Sequence, residues 1–270
     1  MSKKDCDVVI VGAGASGLAA AWHLSFSNLN IIILEQGKKY NKNQYHKKGE
    51  NWEFKKTKEF NLNPNIRNNL HDYPIDCSNS DIDIANFNGV GGATVLYSGH
   101  FPRFHPSDFK VKTLDKVGCD WPLSYKELEK YYNLNDKIMG VHGLSGDYAY
   151  PEIKKLKKHI KLGILGEHIS NAFKKLKWHC WPSYSAINVK NNYAVNTVAI
   201  KENCRVTKII SNKTTAEGVV YLDKNKNLKT ITSRFVILAC NGIGTPRLLL
   251  ASKNKYFRKG LANSSGLVGK

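Results

Sequence analysis

The segment "DVVIVGAGASGLAAA", residues 7–21, decides the fold of this chain. Four β-branched residues lead into three glycines, and small helix-forming residues follow. The apolar run predicts a buried strand over Asp7–Val11, and Ala15 begins a predicted helix that ends near Ser25. The segment "IIILE", residues 31–35, predicts a second strand. A strand–helix–strand unit of this length implies a parallel sheet.

The glycines of Gly12-x-Gly14-x-x-Gly17 each have a separate role in a dinucleotide-binding turn. Gly12 permits the tight turn, Gly14 admits a pyrophosphate close to the backbone, and Gly17 lets the helix pack on the strand. The helix N-terminus at Ala15 offers free N–H groups to the phosphates. Glu35, eighteen residues after Gly17, stands where a carboxylate accepts ribose hydroxyls and repels a 2′-phosphate. The set predicts dinucleotide binding; the alternative is a glycine-rich turn that binds nothing.

A second glycine cluster lies in "NFNGVGGATVLYSGHFPRFHPSDF", residues 86–109, and includes Gly91 and Gly92. A second glycine-rich loop this far along the chain suggests a second place where the backbone contacts an extended ligand. A plain turn between strands is the alternative, and the local sequence does not separate the two.

Further along the chain, capping signals and periodicity predict more elements. Ser124 and Glu127 form a capping box that predicts a helix start. Its expected buried face is Leu128, Tyr131, Tyr132, Ile138 and Met139. Strands are expected at "RVTKII", "AEGVVYL", "KTITS" and "RFVILAC". In the following "NGIGTPRLLLAS", Thr245 is expected to cap a helix whose first position is Pro246.

The chain has 270 residues and a formal net charge of +19. A nucleic-acid-binding protein would carry such an excess of positive charge. The lysines are scattered, however, and no Arg–aromatic stripe or zinc-finger spacing accompanies them. Heavy use of Lys, Asn and Ile is typical of a coding bias toward A and T. The sequence therefore favours general surface basicity over a specific nucleic-acid partner.

The six cysteines are scattered and form no CxxC pair. This is typical of reduced thiols in a cytoplasmic protein and predicts neither a disulfide framework nor a metal site. Lys3 and Lys4 precede an apolar stretch, as in a signal peptide, but signal peptides do not typically contain acidic residues such as Asp5 and Asp7 or a glycine fingerprint. No apolar run approaches the roughly 20 residues of a transmembrane helix. We expect a cytoplasmic protein without a transmembrane segment.

Four stretches together resemble the glucose-methanol-choline (GMC) oxidoreductases, FAD enzymes that oxidise alcohols. They are the glycine fingerprint with Glu35, "GVGGATVLYSG" followed by "RFHPSDF", "DWPLSYKELEKYYNLNDKIMGVHG", and "RFVILACNGIGTPRLLLAS" with "GLANSSGLVGK". The sequences of the last two stretches are most similar to those of the sugar-acid and polyol dehydrogenase branch. As an ordered set, the four stretches cover nearly the whole chain.

The resemblance implies FAD as the cofactor and roles for matching positions. Gly12, Gly14, Ala15 and Gly17 would hold the pyrophosphate and Glu35 the adenosine ribose, as the fingerprint already suggests. Gly91 and Gly92 would bring backbone to the flavin side, and Val206 would contact adenine through its backbone. Leu96 stands where some relatives carry a His that bonds to the flavin, so we expect non-covalent FAD.

The implied fold is α/β: a Rossmann-like FAD-binding fold with a parallel sheet, interleaved with part of an α+β substrate domain. We assign residues 1–45 and 195–270 to a discontinuous FAD-binding domain and 46–194 to a cap or partial substrate-binding region. The implied reaction is hydride transfer from the CH–OH group of a sugar, sugar acid or polyol to flavin N5. The electron acceptor is not assigned. The alternatives are an NAD-dependent Rossmann dehydrogenase and a catalytically inactive, basic nucleotide-binding protein.

No residue of this chain matches the family's catalytic His, which the resemblance assigns to a segment after Lys270. His100, His105, His142, His168 and His179 are expected in surface or packing roles. We therefore expect a truncated chain with no catalytic residue of its own.

The 270-residue chain with excess FAD is accordingly expected not to oxidise alcohols at an enzymatic rate. Loss of a general base alone removes about 10²- to 10⁴-fold of the rate, and loss of substrate positioning removes more. Dye reduction with a panel of sugars, sugar acids and simple alcohols measures this. Robust turnover that disappears on replacing one of the chain's own histidines would contradict the expectation.

Overall fold

The structure is a computed structural model. It describes residues 4–41, 60–68, 72, 75–82, 84–187 and 198–270. The chain forms two compact units. Unit 1 comprises Met1–Leu96 and Tyr193–Lys270, and unit 2 comprises Tyr97–Asn192. The predicted domain boundaries at 45/46 and 194/195 lie outside the described residues, so the functional assignment of the two predicted domains stays a prediction.

Unit 1 is built on a six-stranded mixed sheet. Its strands are β1 (Cys6–Val11), β2 (Ile31–Leu34), β5 (Ala199–Lys201), β6 (Arg205–Ser211), β7 (Ala216–Leu222) and β8 (Leu228–Leu238). Their order in the sheet is β5-β2-β1-β8-β7-β6. The first four strands in this order run parallel, and β8, β7 and β6 pair antiparallel. The predicted parallel sheet of an α/β fold is confirmed, with an antiparallel extension at one side.

Side chains of β1 alternate between two apolar layers, because successive residues of a strand point to opposite faces. Val8 and Ile10 join the layer that contains Ala21 of helix α1 (Ala15–Leu24). Val9 and Val11 join the layer that contains Leu248 of helix α6 (Asn241–Ala251). The central strand is therefore covered by a helix on each face, which is the arrangement of a doubly wound α/β fold.

Two local predictions around β8 are wrong. "KTITS" and "RFVIL" belong to one continuous strand of eleven residues, because Arg234 directly follows Ser233 and the two segments have no turn between them. Helix α6 begins at Asn241 rather than Thr245. The Asn241 side chain accepts hydrogen bonds of 2.8 Å from the N–H groups of Ile243 and Gly244, which satisfies the first turn earlier than predicted. Pro246 therefore lies inside the helix.

Unit 2 contains α3 (Val111–Asp115), α4 (Tyr125–Met139), α5 (Gly163–Lys175) and the short paired strands β3 (His142–Gly143) and β4 (Lys157–Lys158). Unit 1 also contains the four-residue helix α2 (Pro64–Arg67), and 3₁₀ turns span Gly92–Val95 and Pro106–Lys110. The Ser124–Glu127 capping box at the start of α4 is present, as predicted.

The buried face of α4 agrees with the prediction only in part. Of the five predicted residues, Met139 is buried, Leu128, Tyr132 and Ile138 are half-buried, and Tyr131 is 56% exposed. Tyr125 and Asp136, which were not predicted, are buried. Arg103 explains the buried carboxylate: its guanidinium donates to Asp136 Oδ2 at 3.0 and 2.6 Å. A charged pair at this face was not visible to an argument based on apolar periodicity alone.

Among the described residues, no helix is long and apolar enough to cross a membrane. All six cysteines are described and none is paired in a disulfide.

Ile33 provides a test of the sheet core, because its side chain is fully buried between β1, β5 and α1. We expect Ile33→Ala to lower the free energy of unfolding by about 2–5 kcal/mol, through lost burial and the remaining cavity. Denaturant unfolding measures this. Ile164→Ala is the control: Ile164 is 80% exposed and should change stability by about 0.5 kcal/mol or less. Equal losses for both variants would contradict this assignment of the core.

Candidate functional site

A cleft of about 240 Å³ opens in unit 1 where β1, β2 and β8 end. In parallel sheets, ligands bind in crevices at the carboxyl ends of the strands. Six of the eight residues predicted to bind the cofactor line this one cleft: Gly12, Gly14, Ala15, Glu35, Gly92 and Val206. Gly17 and Gly91 lie just behind it, in contacts described below.

The first glycine turn has the geometry that its sequence predicts. Gly12 has a φ of +103°, and a Cβ there would lie 2.5 Å from the carbonyl oxygen of Ala239. A Cβ on Gly17 would lie 2.0 Å from the carbonyl oxygen of Gly12. Gly17 therefore permits close packing of α1 on the turn. Among these three glycines, only Gly14 leaves open space on the cleft side, because a Cβ there would have Gly92 Cα, at 3.8 Å, as its nearest neighbour.

The second glycine cluster lies directly against the first. The Gly91 N–H donates to the Ala13 carbonyl oxygen at 2.8 Å. A Cβ on Gly92 would approach Gly14 Cα to 2.8 Å. The two loops are thus in backbone contact, although nearly eighty residues separate them in sequence. A plain turn between strands does not require this contact, which brings residues of both loops to one cleft.

Glu35 is the buried acid at the centre of the site. Its Oε2 accepts the Ala13 N–H at 2.8 Å, and its Oε1 accepts the Gly37 N–H at 2.9 Å. Burial raises the pKa of this carboxyl, and hydrogen bonds from the backbone of Ala13, Gly37 and Gly89 oppose the rise. Glu35 therefore joins the first turn, the end of β2 and the second glycine loop.

A polar network forms another wall of the cleft, and sequence analysis did not identify it. Arg67 and Asp72 form a buried two-point ion pair, with Nε–Oδ2 and Nη2–Oδ1 distances of 2.8 Å. Asp72 accepts from Asn88, which in turn accepts from Gln36. Arg67 also donates to the Asn86 carbonyl oxygen at 2.7 Å. The network fixes Gln36, Asn86 and Asn88, all of which line the cleft.

The opposite wall comes from the end of β8 and the start of α6. Cys240 and Arg247 line the cleft there, with Val206 and Cys204 from the antiparallel side. Burial raises the pKa of the Cys240 thiol, so this thiol is neutral near pH 7 and not a reactive nucleophile. Arg247 contributes a positive charge. Neither Cys240 nor Arg247 is among the residues predicted to bind the cofactor.

Within the described ranges, no cluster of three or more His, Cys, Asp or Glu side chains has metal-binding geometry. The five histidines considered above, at positions 100, 105, 142, 168 and 179, all belong to unit 2, and none of them lines the cleft.

The fold and the two glycine loops define a dinucleotide-binding α/β protein. Residues 10–41 match the model of an NAD(P)-binding Rossmann-like domain, and residues 184–259 match the model named GMC oxidoreductase. The chain is therefore similar to the GMC oxidoreductases, and the resemblance that the sequence predicted is confirmed.

Two curated relatives extend this result. The chain is 32% identical to 2-methyl-1,2-propanediol dehydrogenase of Mycolicibacterium austroafricanum, over 100% of this chain and 55% of the relative. It is 26% identical to the fructose dehydrogenase large subunit of Gluconobacter japonicus, over 98% of this chain and 57% of the relative. The chain thus spans about half the length of the curated relatives that it matches.

Solved structures support the same fold. Pyridoxine 4-oxidase from Mesorbium loti superposes with a TM-score of 0.62 at 17% identity, covering 92% of this chain and 52% of that one. An FAD-dependent oxidoreductase from Chaetomium thermophilum gives a TM-score of 0.63 at 16% identity, covering 92% and 47%.

The raised pKa of Glu35 predicts how its contribution to stability depends on pH. A carboxyl whose pKa rises on folding favours the folded state below its unfolded-state pKa, and this contribution is lost as pH rises through the folded-state pKa. Gln does not titrate. The free energy of unfolding of the wild type, minus that of Glu35→Gln, should therefore fall as pH rises above about 4.3.

Denaturant unfolding of both proteins at a series of pH values, without added nucleotide, measures this difference. A difference that instead grows with pH would show that the backbone hydrogen bonds outweigh the cost of burying the charge.

Proposed function

We propose that this chain binds FAD non-covalently in the cleft of unit 1. We further propose that it supplies the cofactor-binding portion of an oxidoreductase that acts on CH–OH groups of sugars, sugar acids or polyols. The observation that carries the proposal is the backbone contact between the two glycine loops beside a buried acid. The relatives named above, a diol dehydrogenase and a sugar dehydrogenase, support the substrate class.

The residues of the cleft fit the ADP half of the dinucleotide. Gly14 leaves room for a pyrophosphate against the backbone. Ala15 and Ser16 stand at the N-terminus of α1, whose first turn carries no side-chain cap and no acidic residue. The helix dipole and free N–H groups there favour an anion. The cleft has a volume of about 240 Å³, close to the lower end of the roughly 300–1,000 Å³ range of small-molecule sites.

The remaining predicted residues have roles consistent with this assignment. We assign Glu35 to the adenosine ribose and Val206 to the adenine, each at an end of its strand. Gly91 and Gly92 support the pyrophosphate turn through Ala13 and Gly14, and their predicted approach to the flavin remains a proposal. Gly17 fixes α1 against the turn. Bound FAD would supply hydride acceptance at N5, while the chain's own residues hold and orient the cofactor.

The proposal is tested by titrating the full chain with FAD and following flavin fluorescence. Gly14→Val should abolish binding, because the new side chain fills the phosphate space. Gly92→Ala should weaken binding at least about tenfold, since its Cβ displaces the Gly14 backbone. Gly118→Ala is the matched control: Gly118 also has a positive φ, +62°, but nothing lies within 4 Å of its Cβ position.

The Gly118→Ala variant should bind FAD within about twofold of the wild type, because its cost is confined to local backbone strain of about 1 kcal/mol. Circular dichroism melts identify any variant that fails to fold. Tight NAD binding without measurable FAD affinity would contradict the proposal. The flavin should be released in full on denaturation, since Leu96 offers no nucleophile; a flavin band retained on a denaturing gel would show a covalent bond.

A further inference from the structure

Unit 2 carries a His–Asp pair that the cleft of unit 1 does not use. The Asp147 side chain is only 4% exposed, and its Oδ1 lies 2.8 Å from Nε2 of His179, whose side chain is 34% exposed. A carboxylate bonded to one imidazole nitrogen fixes the orientation of the ring. No other described residue bonds to the second nitrogen, Nδ1, which remains available to a ligand.

Two aromatic rings flank His179. The Tyr148 ring lies 4.4 Å from it, centroid to centroid, and Tyr148 is 79% exposed. The Trp181 ring lies 6.4 Å away and is nearly parallel to the imidazole, at 11°. Tyr148 and Trp181 thus place two aromatic rings beside one imidazole, whose Nε2 is bonded to the buried Asp147 carboxyl group. We name these three residues, with Asp147, the ring site.

The backbone on both sides of the ring site is fixed before any ligand binds. The Trp181 indole N–H donates to the Leu144 carbonyl oxygen at 2.9 Å. The Ser145 hydroxyl donates to the Ile153 carbonyl oxygen at 3.1 Å, which closes the loop 144–153 that carries Tyr148. A site held in this way loses little conformational entropy on binding.

A purely structural role accounts for only part of this arrangement. Asp147 also accepts the Ala149 N–H at 3.0 Å, so the carboxylate helps to form a local turn. That turn needs neither an imidazole on the carboxylate nor the exposed Tyr148 ring. Burying a carboxylate is costly unless it is paired, and here the partner is a side chain that faces solvent.

We infer that the ring site binds a sugar or polyol, with His179 bonding a hydroxyl group and the flanking rings contacting carbon-bound hydrogens. Aromatic surface with a few placed polar groups is the usual composition of a small-molecule site. A sugar or polyol offers both kinds of surface in alternation. The choice of ligand class rests on the proposed function, whereas the existence of a site rests on the geometry of unit 2.

The test uses the full chain and D-fructose or 2-methyl-1,2-propanediol as probes, with saturation-transfer NMR to detect contact between aromatic rings and ligand C–H groups. We expect weak binding by the wild type, with a Kd of about 1–10 mM. His179→Ala and Trp181→Ala should each weaken binding about tenfold, through a lost hydrogen bond and lost ring contact. His168→Ala, at an exposed histidine on α5, should leave the affinity unchanged.

FAD titration of the same samples separates the two proposals. Unchanged FAD affinity in His179→Ala and Trp181→Ala, together with lost sugar binding, would support the ring site. Failure of the wild type to bind FAD would contradict the proposed function without bearing on the ring site. No saturation transfer to either probe from the folded wild type, or equal losses in His168→Ala and His179→Ala, would overturn the inference.

Discussion

The hydrogen bonds to the Glu35 carboxylate are the constraint on which unit 1 depends. A carboxylate removed from water costs several kcal/mol unless donors surround it. Here the donors are backbone N–H groups of Ala13 and Gly37, from different segments. The Glu35 backbone adds two more hydrogen bonds. Its N–H donates to the Lys201 carbonyl oxygen at 3.0 Å, and the Glu35 carbonyl oxygen accepts the Cys204 N–H at 2.8 Å. One residue thus joins the first glycine turn, the end of β2 and the connection between β5 and β6.

Sequence alone was sufficient where the determinants are local. The β1–α1–β2 unit follows from a β-branched run and three spaced glycines, and the start of α4 follows from a capping box only four residues long. Both depend on neighbours within one or two turns of chain. The start of α6 was missed because Asn241, rather than Thr245, satisfies its first N–H groups. When two possible capping residues lie a few positions apart, the residue types alone do not show which of them begins the helix.

The remainder of the site depends on contacts between distant residues. Nothing near Gly91 indicates that its N–H bonds to Ala13, and Arg67 lies in an aperiodic segment without a motif. The ring site is similar: Asp147 and His179 are 32 residues apart and belong to no recognisable pattern. The sequence therefore indicates the glycines and the acid of the cleft, but not the polar network that positions the cleft wall.

The position of β8 has a consequence for synthesis of the chain. The central strand β1 is paired on one side with β2 and on the other side with β8. Strand β8 begins 222 residues after Cys6, and its Ser233 is the partner of Cys6 in the sheet. At a synthesis rate of 5–20 residues per second, β1 waits about 10–45 s for that partner to leave the ribosome. During this interval one edge of an apolar, β-branched strand is open to pairing with other chains. The nascent protein is thus at greatest risk of aggregation before β8 is made, and that interval is when a chaperone would contribute most to its yield.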